Sequence, residues 1–206
     1  MLFMFKNISR RDFCKCCGSI ALSTFFINFA KANSEKNQLI YGNIIINGQK
    51  IDKNSEINFD NLSELETKSE LALVQNNQNG FLIRPNSKIK FLKNKIQELV
   101  KGSFHGVFGK QSSELQIKTP RGTIGIRGTV TYIEYEENYD RTYVCNCYGN
   151  TVIYNSKMEE LKNLQTKYHS PVVIDKNQTI KDSPYNVPLN HYDDNIKSIE
   201  NKLGRE

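Results

Sequence analysis

The sequence of 206 residues predicts an all-β fold, a rolled sheet, sandwich or solenoid-like β-domain with a short C-terminal helix. Turn-forming residues recur roughly every 8–12 residues between positions 39 and 155, as they do in sandwiches and barrels. The segments between these turns are rich in β-branched and aromatic residues, which favour strands. The helical period of three to four residues is not found in the mature sequence before residue 156.

A series of hairpins is predicted in the first half of this region. Residues 39–46 predict a strand that ends at Asn47-Gly48, a pair typical of two-residue hairpin turns, with Ile51 on the return strand. Residues 60–66 predict a polar connection. Further short strands are predicted at residues 71–74, 81–83, 88–92, 96–100 and 103–108, each bounded by turn residues.

Beyond residue 140 the pattern is less regular. Residues 143–149 predict a strand, and residues 156–166 predict either a short helix or a long insert between strands. Residues 167–174 predict a strand that carries His169, with Pro171 at a kink or a sheet edge. A return strand or a loop follows from Ile180, and residues 184–188 predict an irregular segment.

The tail predicts an amphipathic helix. Acidic residues 193–194 would lie in its first turn, where they interact favourably with the helix dipole. Ile196, Ile199 and Leu203 form an apolar stripe, and Gly204 is a typical end signal. The pattern predicts a helix that packs on the β-domain, with a partner-binding helix as the alternative.

The N-terminus resembles a twin-arginine export signal. Its motif residues are Arg10, Arg11, Phe13 and Lys15, and a short run without charges follows them. An ordinary secretory signal with a chance arginine pair is the alternative. The small residues Ala30 and Ala32 predict cleavage after residue 32, and an uncleaved signal would instead tether the chain to the membrane. We therefore expect a signal at 1–32, a β-domain at 33–183, a tail at 184–206 and a periplasmic location.

Charge argues against a nucleic-acid partner. The whole chain has a net charge of +6, but residues 1–32 hold five Lys or Arg and one Asp, which leaves +2 on residues 33–206. A domain with so little net charge lacks the basic surface that nucleic acids or anionic lipids attract.

A motif between residues 115 and 133 carries the strongest family signal. Its residues Thr119, Pro120, Gly125, Arg127, Gly128 and Thr129 resemble the signature of the FecR domain family, and the resemblance spans about residues 39–155. The resemblance implies an extracytoplasmic β-domain that senses or binds another envelope protein. Because only eight residues precede the twin-arginine element, we expect no cytoplasmic sigma-regulating domain.

Within this motif we predict that Arg127 is structural. Its five donors would bond several carbonyl groups of nearby turns, and the alternative is a site for an anionic ligand.

Cys145 and Cys147 suggest a metal or redox site. They lie two apart on a predicted strand, so that both sulfur atoms point to one face. A disulfide between them is unfavourable, because two residues of extended chain span roughly 6.6 Å. Two thiolates suit zinc or copper(I), and His169 and His191 could complete the four ligands, with Asp193 orienting His191.

One other hypothesis remains open for these residues: the cysteines could be small core residues and the histidines ordinary surface or hydrogen-bonded groups. His105 lies among Phe104, Val107 and Phe108, and we interpret it as structural.

No catalytic motif supports an enzyme. The chain has no phosphate-binding glycine loop, no Gly-x-Ser-x-Gly and no His-Glu-x-x-His. We therefore predict a protein that is not an enzyme.

Export through the twin-arginine system can be tested directly. We predict that Arg10→Lys/Arg11→Lys retains the precursor in the cytoplasm, because the export system reads the arginine pair. The wild-type chain should be recovered from the periplasm with its N-terminus at Asn33, as measured by fractionation and N-terminal sequencing. Lys6→Arg, outside the motif, is the control, and normal export of the double variant would contradict the prediction.

Overall fold

The computed structural model of the chain describes residues 36–93, 95–110 and 112–205. Two predictions lie outside these described residues: the signal motif of Arg10, Arg11, Phe13 and Lys15, and the cleavage site at Ala30 and Ala32. Both stay predictions from the sequence.

The described residues are mostly strands with one short C-terminal helix, which confirms the all-β fold class. In chain order the elements are β1 Asn37–Tyr41, β2 Ile44–Ile46, β3 Gln49–Ile51, β4 Glu64–Glu66, β5 Ala72–Asn76, β6 Asn79–Ile83, β7 Lys88–Leu92, β8 Lys95–Val107, β9 Leu115–Thr119, β10 Gly122–Ile126, β11 Val130–Glu136, the 3-10 turn Glu137–Tyr139, β12 Arg141–Tyr154, β13 Glu160–Thr166, β14 Ser170–Ile174, β15 Ile180–Asp182 and α1 Asp193–Lys202.

The strands form two sheets that share β8 and β12. Sheet I has the order β1-β5-β6-β8-β11-β12-β14-β15. Sheet II has the order β3-β2-β4-β7-β8-β9-β10-β12-β13. Neighbouring strands are antiparallel except for the short parallel contact of β8 with β9. Because β11 joins β8 to β12 in sheet I, and β9 and β10 join them in sheet II, these five strands close a barrel.

Each shared strand changes sheet at a glycine. In β8, Lys101 pairs with β7 of sheet II, and Gly102 pairs with β11 of sheet I. In β12, Tyr148 pairs with β11 of sheet I, and Gly149 pairs with β13 of sheet II. The two glycines have φ of +76° and +94°, which other residues adopt only with strain.

Two apolar cores follow from this arrangement. The larger one lies between the sheets and contains residues of both, such as Phe81 and Ile133 of sheet I and Ile89 and Ile124 of sheet II. The smaller one lies on the other face of sheet I. It contains Ile196 and Ile199 of α1 and nine residues of sheet I. The nine are Leu73, Leu82, Val107, Val130, Tyr132, Tyr143, Cys145, Cys147 and Val173.

Residues 183–205, which we call the covering segment, lie over this second core. The backbone N–H of Leu189 donates to the hydroxyl of Tyr143 at 3.1 Å, and Arg84 donates to the carbonyl of Asn190 at 2.9 Å. In α1 the predicted stripe is confirmed, since Ile196 and Ile199 are buried against sheet I. Of the two predicted roles of the helix, the structure shows packing on the β-domain. Among the described residues, no helix has the length and apolar character needed to span a membrane.

Several local predictions differ from the structure. The predicted strand at residues 39–46 is divided between β1 and β2, and the predicted polar connection at residues 60–66 contains β4. The predicted strands at residues 96–100 and 103–108 are one continuous strand, β8. Residues 156–166 are neither a helix nor an insert. They form a turn and then β13, which pairs with β12 over six positions. Hairpin pairing with β12, the strand directly before it, outweighs the weak helical preference of this segment.

The family motif lies at the β9–β10 turn and the β10–β11 connection. Thr119 donates to the carbonyl of Gly122 at 2.8 Å, and Thr129 is buried and donates to Asn146 at 2.8 Å. The prediction that Arg127 bonds to several turn carbonyls is wrong. Its side chain is 63% exposed and forms an ion pair with Glu114 at 3.2 Å, a contact worth about 0–1 kcal/mol.

Replacing Gly149 by alanine should lower the free energy of unfolding for two reasons: the left-handed backbone and a steric clash. The backbone term costs about 1–2 kcal/mol, and the new Cβ would lie 2.8 Å from Oγ1 of Thr129, which adds about 1–3 kcal/mol. Gly48→Ala is a matched control, because φ is +84° and nothing lies within 4 Å of the new Cβ. Chemical denaturation of residues 33–206 measures both variants, and equal losses of stability would contradict this account of Gly149.

Candidate metal centre

Strand β12 presents both cysteines to the covering segment. Cys145 and Cys147 lie on the same face of β12 as Tyr143 and belong to the second core, whereas Val144 points to the core between the sheets. The prediction that both sulfur atoms share one face is thus confirmed. Asn146, between them, is fully buried and donates to the carbonyl of Leu164 at 2.6 Å.

Cys147 occupies an irregular position in the sheet. Thr131 of β11 pairs with Asn146, and Val130 pairs with Tyr148, so Cys147 is the extra residue of a β-bulge. Bulges change the direction of a side chain relative to the regular sheet. Here Cys147 nevertheless stays on the same face of β12 as Cys145, and both belong to the second core.

The two histidines come from other parts of the chain. His169 directly precedes β14 rather than lying within a strand, and His191 belongs to the covering segment two residues before α1. The structure brings all four predicted ligands together: one donor atom each from Cys145, Cys147, His169 and His191, all within 4.8 Å of one another. Cys145, Cys147 and His191 are buried, and the side chain of His169 is 20% exposed.

The hydrogen bonds of the two histidines assign their tautomers. Nδ1 of His191 lies 2.6 Å from the carbonyl oxygen of Leu189, and Nε2 of His169 lies 2.8 Å from the carboxylate of Asp193. Each of these acceptors requires a proton on the ring nitrogen that faces it. In the neutral rings the lone pairs are therefore on Nε2 of His191 and Nδ1 of His169, and these two atoms lie 3.3 Å apart, within hydrogen-bond range when one of them is protonated.

This assignment corrects one prediction. Asp193 bonds to His169, not to His191, because the first residue of α1 lies beside the loop that carries His169. His191 is held instead by the Leu189 carbonyl and by stacking on Tyr132, with ring centroids 4.5 Å apart.

The spacing of the donor atoms matches a tetrahedral ion. Zinc bonds of about 2.3 Å to sulfur and about 2.0–2.1 Å to nitrogen give edges of roughly 3.3 Å between two nitrogens and roughly 3.6 Å between nitrogen and sulfur. The distance between the His191 and His169 nitrogens is 3.3 Å, and that from Cys145 Sγ to His169 Nδ1 is 3.5 Å. Two of the six distances between ligand atoms therefore match a four-coordinate zinc site, and all six lie within 4.8 Å.

The two thiols differ in acidity because they share one proton. The Cys147 thiol and the nearby His191 and His169 stabilise the Cys145 thiolate and hold the pKa of Cys145 well below its ordinary value. The Cys145 thiolate and burial raise the pKa of Cys147. Burial acts to lower the pKa of His169, but Asp193 and Cys145 outweigh it, so that this pKa is raised. These shifts favour the thiolate at Cys145, and the thiolate is the form that binds metal.

His105 is a neighbour that our interpretation of the sequence treated as structural. It is 1% exposed, and its Nε2 lies 3.5 Å from Sγ of Cys147. Burial, and then the neighbouring His191 and His169, lower the pKa of His105 to about 3, so the ring is neutral. Alternation along β8 could have predicted that His105 and Phe104 point to opposite faces of the sheet, because they are neighbours in a strand. Its partner across the sheet, Tyr132, could not be known before the pairing of β8 with β11.

No family model and no curated protein matches this chain. Among solved structures, a provisional anti-sigma factor from Parabacteroides distasonis ATCC 8503 is similar, with 10% sequence identity and a TM-score of 0.50. A second crystal structure with the same description has 8% identity and a TM-score of 0.48. Each match covers 59% of this chain and 59% of the other chain. At this identity the likeness is one of fold alone.

Proposed function

We propose that this protein is an exported FecR-like module of the bacterial envelope that holds one zinc or copper(I) ion. Cys145, Cys147, His169 and His191 are the proposed ligands. The observation that carries the proposal is the convergence of one ring nitrogen from each of two histidines and two buried sulfur atoms, all within 4.8 Å of one another. A cation bound by both neutral rings would accept the lone pairs of these two nitrogens and would take the place of the 3.3 Å hydrogen bond between them.

Charge favours zinc over copper(I). Two thiolates and two neutral imidazoles carry a charge of −2, which zinc neutralises and copper(I) leaves at −1. A net charge in a buried site is unfavourable, and three of the four ligands are buried. Copper(I) remains the second candidate because thiolates are soft ligands.

The ligand set indicates a structural rather than a catalytic ion. Four ligands from the protein close the coordination sphere, whereas catalytic zinc keeps an open position for water or substrate. This supports our proposal that the protein is not an enzyme. A bound ion would join β12, the loop before β14 and the covering segment.

The sensing role rests on the family motif. Thr119, Pro120, Gly125, Arg127, Gly128 and Thr129 resemble the FecR signature. The fold likeness to a provisional anti-sigma factor supports a regulatory β-domain. We propose that the partner is another envelope protein and that the chain does not bind nucleic acid. Contact with the membrane would arise only through an uncleaved signal.

Metal content tests the proposed site. Protein purified from the periplasm should carry one zinc per chain by elemental analysis, and cobalt(II) substitution should give tetrahedral d–d bands with a sulfur-to-cobalt charge-transfer band. Cys145→Ser/Cys147→Ser should lose the metal, because both sulfur ligands are replaced. Tyr143→Phe, on the same face of β12, should keep it. Wild-type protein without metal, with two freely alkylated thiols and a double variant of unchanged stability, would overturn the proposal.

Asp193 should contribute to metal affinity through His169. Removing the carboxylate that orients a ligand histidine costs about 10–100-fold in affinity, so Asp193→Ala should weaken zinc binding in a competition titration. Asp194→Ala is the matched control, because this side chain also lies in the first turn of α1 but is 96% exposed and bonds to no ligand histidine. Equal affinities of the two variants would show that Asp193 does not hold His169.

A further inference from the structure

We infer that His105 donates a hydrogen bond from Nε2–H to the Cys147 sulfur and thereby acts as a positioning residue of the metal site. This inference rests on the proposed metal site. Nε2 of His105 lies 3.5 Å from Sγ of Cys147, within hydrogen-bond range for sulfur. The four donor atoms that lie within 4.8 Å of one another include no nitrogen of His105.

The position of the proton follows from the surroundings of the ring. Nδ1 of His105 is buried and has no hydrogen-bond partner among the described residues. A neutral imidazole carries one N–H and one acceptor nitrogen. A buried N–H without a partner is rarer than an unpaired acceptor. The proton therefore belongs on Nε2, which faces Cys147, and Nδ1 is the unpaired acceptor.

The Cys147 thiol can accept this bond in the metal-free protein. Its own proton points to Cys145, whose thiolate it stabilises and whose carbonyl oxygen lies 3.7 Å from Sγ of Cys147. The sulfur lone pairs are then free to accept from His105. When zinc binds, it replaces the Cys147 proton, which leaves to solvent, and the bond from His105 remains on the thiolate.

The ring of His105 is fixed in this orientation by its neighbours. It contacts His191 with ring centroids 5.1 Å apart and Tyr132 with centroids 6.0 Å apart. In sheet I, His105 pairs with Tyr132 of β11, and Tyr132 pairs with Cys145 of β12. His105 thus lies beside Cys147 with its ring packed against Tyr132 and His191. The bond would stabilise negative charge on the sulfur, which raises metal affinity and lowers the energy of the sulfur lone pairs.

Two substitutions separate donation from packing. His105→Phe keeps an aromatic ring without a donor, and His105→Gln places an amide N–H near the position of Nε2. Both should bind one cobalt(II) with the tetrahedral d–d bands of the wild type. In His105→Phe, we expect zinc affinity to fall about 10–100-fold and the charge-transfer band to move to lower energy. His105→Gln should stay close to the wild type in both measurements.

The outcomes are distinguishable. Wild-type affinity and band position in His105→Phe would show that the ring only packs, and changed d–d bands would show that His105 is a ligand. Either result overturns the inference while the proposed metal site stands. Wild-type protein that binds no metal would overturn the proposed function itself.

A measurement on the wild type covers the case in which His105→Phe does not fold. Protein loaded with an NMR-active cadmium isotope should show a scalar coupling between the metal and Hε2 of His105, transmitted through the Cys147 sulfur. A proton on Nδ1 instead, or no coupling, would overturn the inference.

Discussion

The left-handed backbone at Gly102 and Gly149 is the constraint on which the rest of the structure depends. A strand that keeps a regular conformation stays in one sheet, whereas these glycines allow β8 and β12 to turn and serve both. Two sheets that share two strands must face each other, and the core between them follows. Space at both bends is limited, since a Cβ on Gly102 would lie 2.6 Å from Cα of Ser87. The two glycine bends therefore account for the closure of the barrel, for the core between the sheets and for the separate outer face of sheet I.

The candidate metal centre is built on the same two strands. After its bend, β8 places His105 on the outer face of sheet I, and before its bend, β12 places the two cysteines there. The covering segment then brings His191 over them and screens them from water. Its first part is held by Tyr185, which bonds to Glu136 and Arg141, and its last part by Glu200, which bonds to Tyr148. The covering segment is thus fixed at both ends by polar contacts, and the apolar residues and the two cysteines lie beneath it.

Local patterns predicted a large part of this arrangement. Alternation along a strand placed the two cysteines on one face, and the apolar stripe identified α1, because both signals depend only on neighbours in sequence. The hairpin of β12 with β13 was missed because residues 156–166 also have a weak helical pattern, and the role of His105 was missed because it depends on strand pairing between distant segments. The partners of Asp193 and Arg127 were assigned wrongly for the same reason. A carboxylate or guanidinium bonds to whichever group the tertiary fold places beside it, and sequence distance does not reveal that group.

The proposed ligands come from three places that are far apart in the chain, and this has a consequence for folding thermodynamics. An ion bound to Cys147, His169 and His191 would close two loops of the unfolded chain, as a disulfide does. Unlike a disulfide, this cross-link breaks without a change of redox state, and its contribution grows with the logarithm of the free metal concentration. The stability of the covering segment would then follow the metal supply of the surrounding compartment. In a domain of this kind, the fraction of molecules with the covering segment in place would depend on the free metal concentration.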